Sequence, residues 1–279
     1  MGTIGTRFRQ IGKSQTITPL SNTERKLKMK RIICAALALV MCAGIAVGAS
    51  GCGCKKSDKT ASTVNTSGGG NQPGYRNEPT NPDFQEGEFG FYRLNDKEVI
   101  LTQYNGKGGD ITIPESAQGS TVSVIGSNVF QNKDVKSVKF PKTITEIQKY
   151  AFSGCQSLTE VAIPEGVKTI GNNAFWNCKN LTKITLPKTL KNIGWNAFSA
   201  TGIKSITIPE SDTLSSLKEK VFFQCADLAE VTIPLNITEI ADNTFAECSA
   251  DLTIKAYTGS YAVSFAKSHN YKLVEMKRK

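Results

Sequence analysis

A chain of 279 residues, 39% hydrophobic and 21% charged, is long enough to bury a proper core as one large domain or two modest ones. Its net charge of +10 would ordinarily raise nucleic acid as a partner, but residues 1–51 carry eight Lys/Arg against Glu24 alone and hold +7 of it, which removes that reading's main support. With one histidine, His269, and no Cys–His or Ser–His pairing beside it, a general base or histidine-bound metal is disfavoured.

Residues 1–28 are polar with no apolar period, and Met29 reads as the better start, which makes 1–28 an expected upstream extension. Residues 29–51 begin with Lys30-Arg31, continue with an apolar run over residues 32–49 and end in small residues, the order of an export signal. Ala49-Ser50-Gly51-Cys52 resembles a bacterial lipobox, which implies cleavage before Cys52 and lipidation of its thiol; Ala49 stands where that motif most often has Leu. An uncleaved membrane helix and ordinary secretion are the alternatives, since 18 apolar residues approach the spanning minimum. All three place the remainder outside the cytoplasm. Residues 52–86 are Lys, Ser, Thr, Asn, Gly and Pro with almost no aliphatic side chains, so they read as a polar stalk unable to offset the entropy of ordering.

A repeat follows. An aliphatic or aromatic residue precedes Pro114, Pro141, Pro164, Pro187, Pro209 and Pro234, at spacings of 22 to 27 residues. Eleven positions beyond four of these prolines stand Phe152, Phe175, Phe198 and Phe245, with Phe130 and Phe222 displaced by insertions. Cys155, Cys178, Cys225 and Cys248 come three residues after a Phe, and Thr201 takes that place in the fourth unit. In each unit, apolar residues two apart, such as Val161 and Ile163, predict a short strand with one buried face. Proline then removes the next donor and ends it. A second apolar pair, Val167 and Ile170, leads to Gly171 and a turn that points Ala174 and Phe175 inward. No unit of this size buries its own apolar face, so the units must stack into a solenoid.

Residues 138–204 follow "xxVxIPxxVxxIGxxAFxxCxxLxx" almost letter for letter, and the chain thereby resembles the BspA-like leucine-rich repeat family. That resemblance implies a β-rich (α+β) solenoid of about six coils over residues 87–257. It also implies an N-terminal β-hairpin cap, from "FGFYRLNDKEVILTQY", and a C-terminal cap with a basic tail over residues 258–279, from "GSYAVSFAKSHNYKLVEM".

No enzyme signature survives inspection. Glu160 and Glu230 lie three coils apart, roughly 14 Å at the spacing of strands, too far for paired carboxylate catalysis. Gly68-Gly69-Gly70 lacks the strand and helix of a phosphate loop. Stacked cysteines point in parallel and read as buried free thiols rather than disulfides, and cysteines spread over so many coils do not converge on zinc. No cofactor, metal or nucleic acid is expected.

What remains is surface. Thr112, Lys139, Ala162, Thr185, Thr207, Thr232 and Thr253 read as one outward column, flanked by Ser137, Glu160, Lys183, Ser205, Glu230 and Asp251. Threonine there is also simply a good strand residue. Trp176, Trp195 and Phe223 fill slots that are polar or small in other units, which suggests an aromatic patch, or else rings covering the solenoid's convex side. The expected ligand residues are Lys139, Glu160, Lys183, Thr185, Thr207, Glu230, Thr232, Trp176, Trp195 and Phe223. The family is associated with adherence, so the resemblance implies a lipid-anchored adhesion or binding module for an extracellular protein or glycan. The alternatives are an envelope protein with no specific ligand and a carbohydrate-active enzyme on a parallel β-helix.

Overall fold

The computed structural model describes residues 81–278, and the expectations for residues 1–80, Cys52 among them, lie outside these. Within the described residues the chain winds a β-solenoid of about eight turns with little helix. Each coil contributes a first strand of three to five residues and a second of two or more, so strands stack in two parallel ladders around one apolar interior.

The first ladder begins with Gly109–Thr112 beside Val135–Lys139 and continues through Glu160–Ala162 beside Lys183–Thr185. It ends with the paired run Ser205–Thr207, Glu230–Ile233, Thr253–Tyr257 and Lys272–Met276, and the three runs follow one another along the stack without strand pairing between them. Those are eight rungs where the prolines mark six units, because the last two strands end without proline. The second ladder is headed by the antiparallel strands Phe84–Glu86, Phe89–Arg93 and Glu98–Tyr104. It runs in parallel through Ser120–Ile125, Glu146–Ile147, Thr169–Ile170 and Asn192–Ile193. The pairing starts at Phe84, inside the stretch read as stalk, because Phe84 stacks on Phe91 at 5.6 Å and belongs to the apolar end of the array. The second ladder is interrupted after Asn192–Ile193 and resumes as Ser216–Leu217 beside Glu239–Ile240. The extra residues after Pro209 fall at this break.

The third side of each coil is a turn. Asn173 and Asn177, with φ of 56° and 59°, flank Ala174-Phe175-Trp176 in the left-handed region that Asn tolerates best among residues with a side chain. Two such reversals within five residues drive Ala174 and Phe175 into the core, both fully buried. The turn's amides donate to the next coil, Asn173 N to Trp195 O at 2.9 Å and Phe175 N to Ala197 O at 2.8 Å. All three sides of the coil are therefore hydrogen-bonded along the axis.

Phe130, Phe152, Phe175, Phe198, Phe222 and Phe245 stack in one column at centroid spacings of 4.9 to 5.6 Å, extended by Tyr104 at 5.1 Å and Phe265 at 6.2 Å. Fully burying each ring contributes about 1.5–3 kcal/mol. This spine holds the two ladders at fixed separation, and the outward positions ride on a rigid frame.

Candidate binding surfaces

Alternation fixes which side chains face out on the first ladder. Val161, Ile184, Ile206, Val231 and Ile254 are buried, and their strand neighbours face solvent. Strand pairing puts Asp110, Ser137, Glu160, Lys183, Ser205, Glu230, Thr253 and Lys272 in register, the first pair and each of the others by direct pairing or by equivalent coil position. Thr112 pairs with Lys139, Ala162 with Thr185, Thr207 with Thr232 and Thr232 with Lys255 in the second outward column. Thr253 therefore belongs beside Glu230, Lys255 is the true successor of Thr232, and Asp251 lies outside both columns. The slip is two residues: Leu252, Ile254 and Ala256 are all buried, so alternation alone fixes the face and leaves the register open.

The charges of this face are largely matched. Lys183 lies 3.8 Å from Glu160, Lys255 bonds Glu230 at 2.7 Å, and Lys272 bonds Asp251 at 2.6 Å. The hydrogen bond from Lys272 and its positive charge hold the Asp251 carboxyl below the usual carboxylate range. Ser137 Oγ donates to Asp110 at 2.6 Å. Threonine, serine and alanine between these pairs leave a low-relief polar ribbon.

The aromatic residues stand elsewhere on the coil. Trp176 follows the core Phe175, Phe223 follows the core Phe222, and Trp195 precedes the turn one coil after Trp176. Both tryptophans are 41% exposed, and they are two of the four large apolar side chains so exposed among the described residues. The structure thus divides the ten expected ligand residues into two sets. Lys139, Glu160, Lys183, Thr185, Thr207, Glu230 and Thr232 share the strand face. Trp176, Trp195 and Phe223 share the turn edge.

Lys220, which the sequence reading passed over, joins two members of the second set. Its ammonium sits 5.8 Å from the Trp195 ring and 5.4 Å from the Phe223 ring, within cation–π range of both. Lys220 has φ of 58° where the equivalent Asn173 and Asn196 have 56° and 54°. Aligned unit by unit, a lysine in a column otherwise made of Asn128, Tyr150, Asn173, Asn196 and Asn243 was the available signal.

The sulfur column is structural. Cys155, Cys178, Cys225 and Cys248 are free thiols, the first three buried, and each donates to the carbonyl of a core Phe in the preceding coil at 3.0 to 3.1 Å. Contact with the Cys178 thiol and burial push Cys155 well up, which keeps it protonated. Thr201 fits the column by bonding Phe198 O at 2.8 Å and approaching Cys225 Sγ at 3.3 Å. His269 does have a serine beside it, Ser268 Oγ lying 3.0 Å from its Nδ1; the ring is half-buried, stacks on Phe265 at 4.2 Å and reaches Asp242 at 3.4 Å. Among the described residues no three His, Cys, Asp or Glu side chains cluster as metal ligands would, and no helix is long and apolar enough to cross a membrane.

The profile of the family described as "BspA type Leucine rich repeat region" matches six copies across residues 123–251. A leucine-rich repeat protein of T. pallidum is 23% identical over 67% of this chain and 95% of its own, with a TM-score of 0.52. A leucine-rich cell surface protein of Faecalibacterium prausnitzii is 19% identical over 70% of this chain and 94% of its own, with a TM-score of 0.24. The pneumococcal vaccine antigen PcpA is 13% identical over 70% and 98%, with a TM-score of 0.31. No curated protein matches significantly.

Proposed function

We propose, from the premise that the chain belongs to the BspA-type leucine-rich repeat family, that it is a lipid-anchored, surface-displayed module binding an extracellular protein or glycan across its first-strand ladder. The observation that carries this reading is the eight-rung ribbon itself. Its inward side chains are locked in one core, while most of its outward ones are small or charge-paired. A rigid, regularly spaced surface loses little conformational entropy on binding, and modest contacts add along its length. Anchoring at Cys52 and a stalk over residues 52–86 would present many copies together, so avidity would exceed the affinity of one array.

The test is a neutral change of relief. Thr185→Gln, Thr207→Gln and Thr232→Gln in one chain enlarge three stacked outward side chains without altering charge. Binding of the full chain to arrays of extracellular-matrix proteins and envelope glycans should fall at least tenfold for its best ligand. Undiminished binding overturns the strand-face reading, and absence of any ligand for the native chain leaves a structural envelope protein. In a bacterial host, Cys52→Ser should move the protein from the membrane fraction into the medium. Retention in the membrane would instead mean an uncleaved helical anchor.

A further inference from the structure

The turn edge combines exposed aromatic rings with unpaired lysines. On the first ladder Lys183, Lys255 and Lys272 have carboxylate partners and Lys136 and Lys139 have none, while near the turn edge Lys168, Lys191 and Lys220 have no ion pair among the described residues. Lys168 and Lys191 immediately precede successive strands of the second ladder, with Lys191 N donating to Lys168 O at 2.8 Å. Trp195 lies four residues beyond Lys191 and is pinned by its amide donating to Asn172 Oδ1 at 2.9 Å. Phe223 and Trp176 occupy the same slot two coils apart, and the residue between them in that slot, Ser199, is buried.

The backbone sets the direction of the Lys220 side chain. A lysine in the left-handed region costs about 1–2 kcal/mol relative to the ordinary helical well, a cost that asparagine largely escapes. The turn imposes that conformation coil after coil, on Asn128, Tyr150, Asn173 and Asn196 as on Lys220, and at Lys220 it holds an ammonium against two aromatic rings.

We infer that the turn edge around Trp195, Lys220 and Phe223 is a binding site for an acidic saccharide, one bearing carboxylate or sulfate groups. The apolar C–H face of a sugar ring stacks on an exposed indole, and its anion is met by Lys220 and the unpaired lysines alongside. A glycan chain also repeats on a length close to the rung spacing, about 4.8 Å, so successive sugars can meet successive coils. The inference goes beyond the strand-face reading and uses none of its residues.

The experiment is calorimetric titration of the full chain with heparin oligosaccharides, hyaluronate oligosaccharides and neutral dextran. Sulfated and carboxylated ligands are thereby separated, and dextran reports charge-independent stacking. At least one acidic saccharide should bind and dextran should not. Trp195→Asn and Lys220→Asn place at each position the residue that a neighbouring coil carries there, Asn172 and Asn196, so the fold is kept. Each should weaken binding about tenfold. Glu219→Gln removes an exposed carboxylate next to Lys220 and should tighten binding severalfold. The triple strand-face variant should bind the saccharide unchanged, which separates this site's failure from that of the other. Dextran binding as tightly as both acidic chains, no binding by either of them, or native affinity in Trp195→Asn and Lys220→Asn would overturn the proposal.

Discussion

Ala200 is half-buried at φ 56°, in the column that other coils fill with Asn132, Gly154, Asn177, Gln224 and Glu247. An alanine there has neither the freedom of glycine nor asparagine's local hydrogen bonding, and its Cβ crowds the following carbonyl. Ala200→Asn should therefore stabilise the domain by about 1 kcal/mol, read as a higher midpoint in urea with unchanged slope. A lower midpoint would mean that the coil needs a small side chain at that point for packing. Residues of this kind divide what the sequence discloses from what it hides. Phe175, Ile170 and Pro164 announce themselves because every coil solves the same burial problem with the same letters. Lys220 is hidden, because its meaning depends on two rings that approach it from different coils and on a backbone conformation no composition reports.

At the level of the strand, alternation tells inside from outside and nothing more. Leu252, Ile254 and Ala256 are as buried as the pattern demands, yet the pairing of Thr253 with Glu230 places Lys255 where a threonine seemed to continue the column. Proline marked the register in six coils and was missing from the seventh. The eighth strand, Lys272–Met276, pairs with Thr253–Tyr257 on one side, and side-chain contacts reinforce it: Lys272 to Asp251 at 2.6 Å and Lys267 to Glu275 at 2.9 Å. In both pairs the hydrogen bond from the lysine and its charge lower the carboxyl pKa in the folded state. A carboxylate with a depressed folded pKa adds stability above its unfolded pKa and loses it as pH falls through the folded one. Protection of the amides of residues 272–276 against hydrogen exchange should accordingly hold from neutrality down to the ordinary carboxylate range and decline below it, ahead of residues 230–233. Equal decline in both strands would show that these exposed pairs add nothing local.

Over the whole molecule, stability is a sum of neighbour contacts along one axis, and the ends are where that sum is exposed to water. The column of rings makes the point concrete. Phe222 stacks on Phe245 at 5.6 Å, and Phe245 would end the column in solvent were it not met edge-on by Phe265 and Tyr271, each 6.2 Å away. Phe265 belongs to the helix Tyr261–Ser268, whose buried residues Ala262, Val263, Phe265 and Ala266 close over the last coil, while Tyr261 on the same helix is 44% exposed. The helix is thus retained for its inner face. A chain stopped after Thr258 would uncover Phe245 together with Leu252, Ile254 and Ala256, apolar area worth several kcal/mol on burial. Such a chain should unfold at a markedly lower temperature or associate through its open end, whereas Tyr261→Ser, which trims only the solvent side of the same helix, should leave the melting temperature within about 2 °C. A truncated domain that melts like the full one would mean that the coils up to Thr253–Tyr257 carry the fold unaided, and that the helix and final strand serve something other than closing the core.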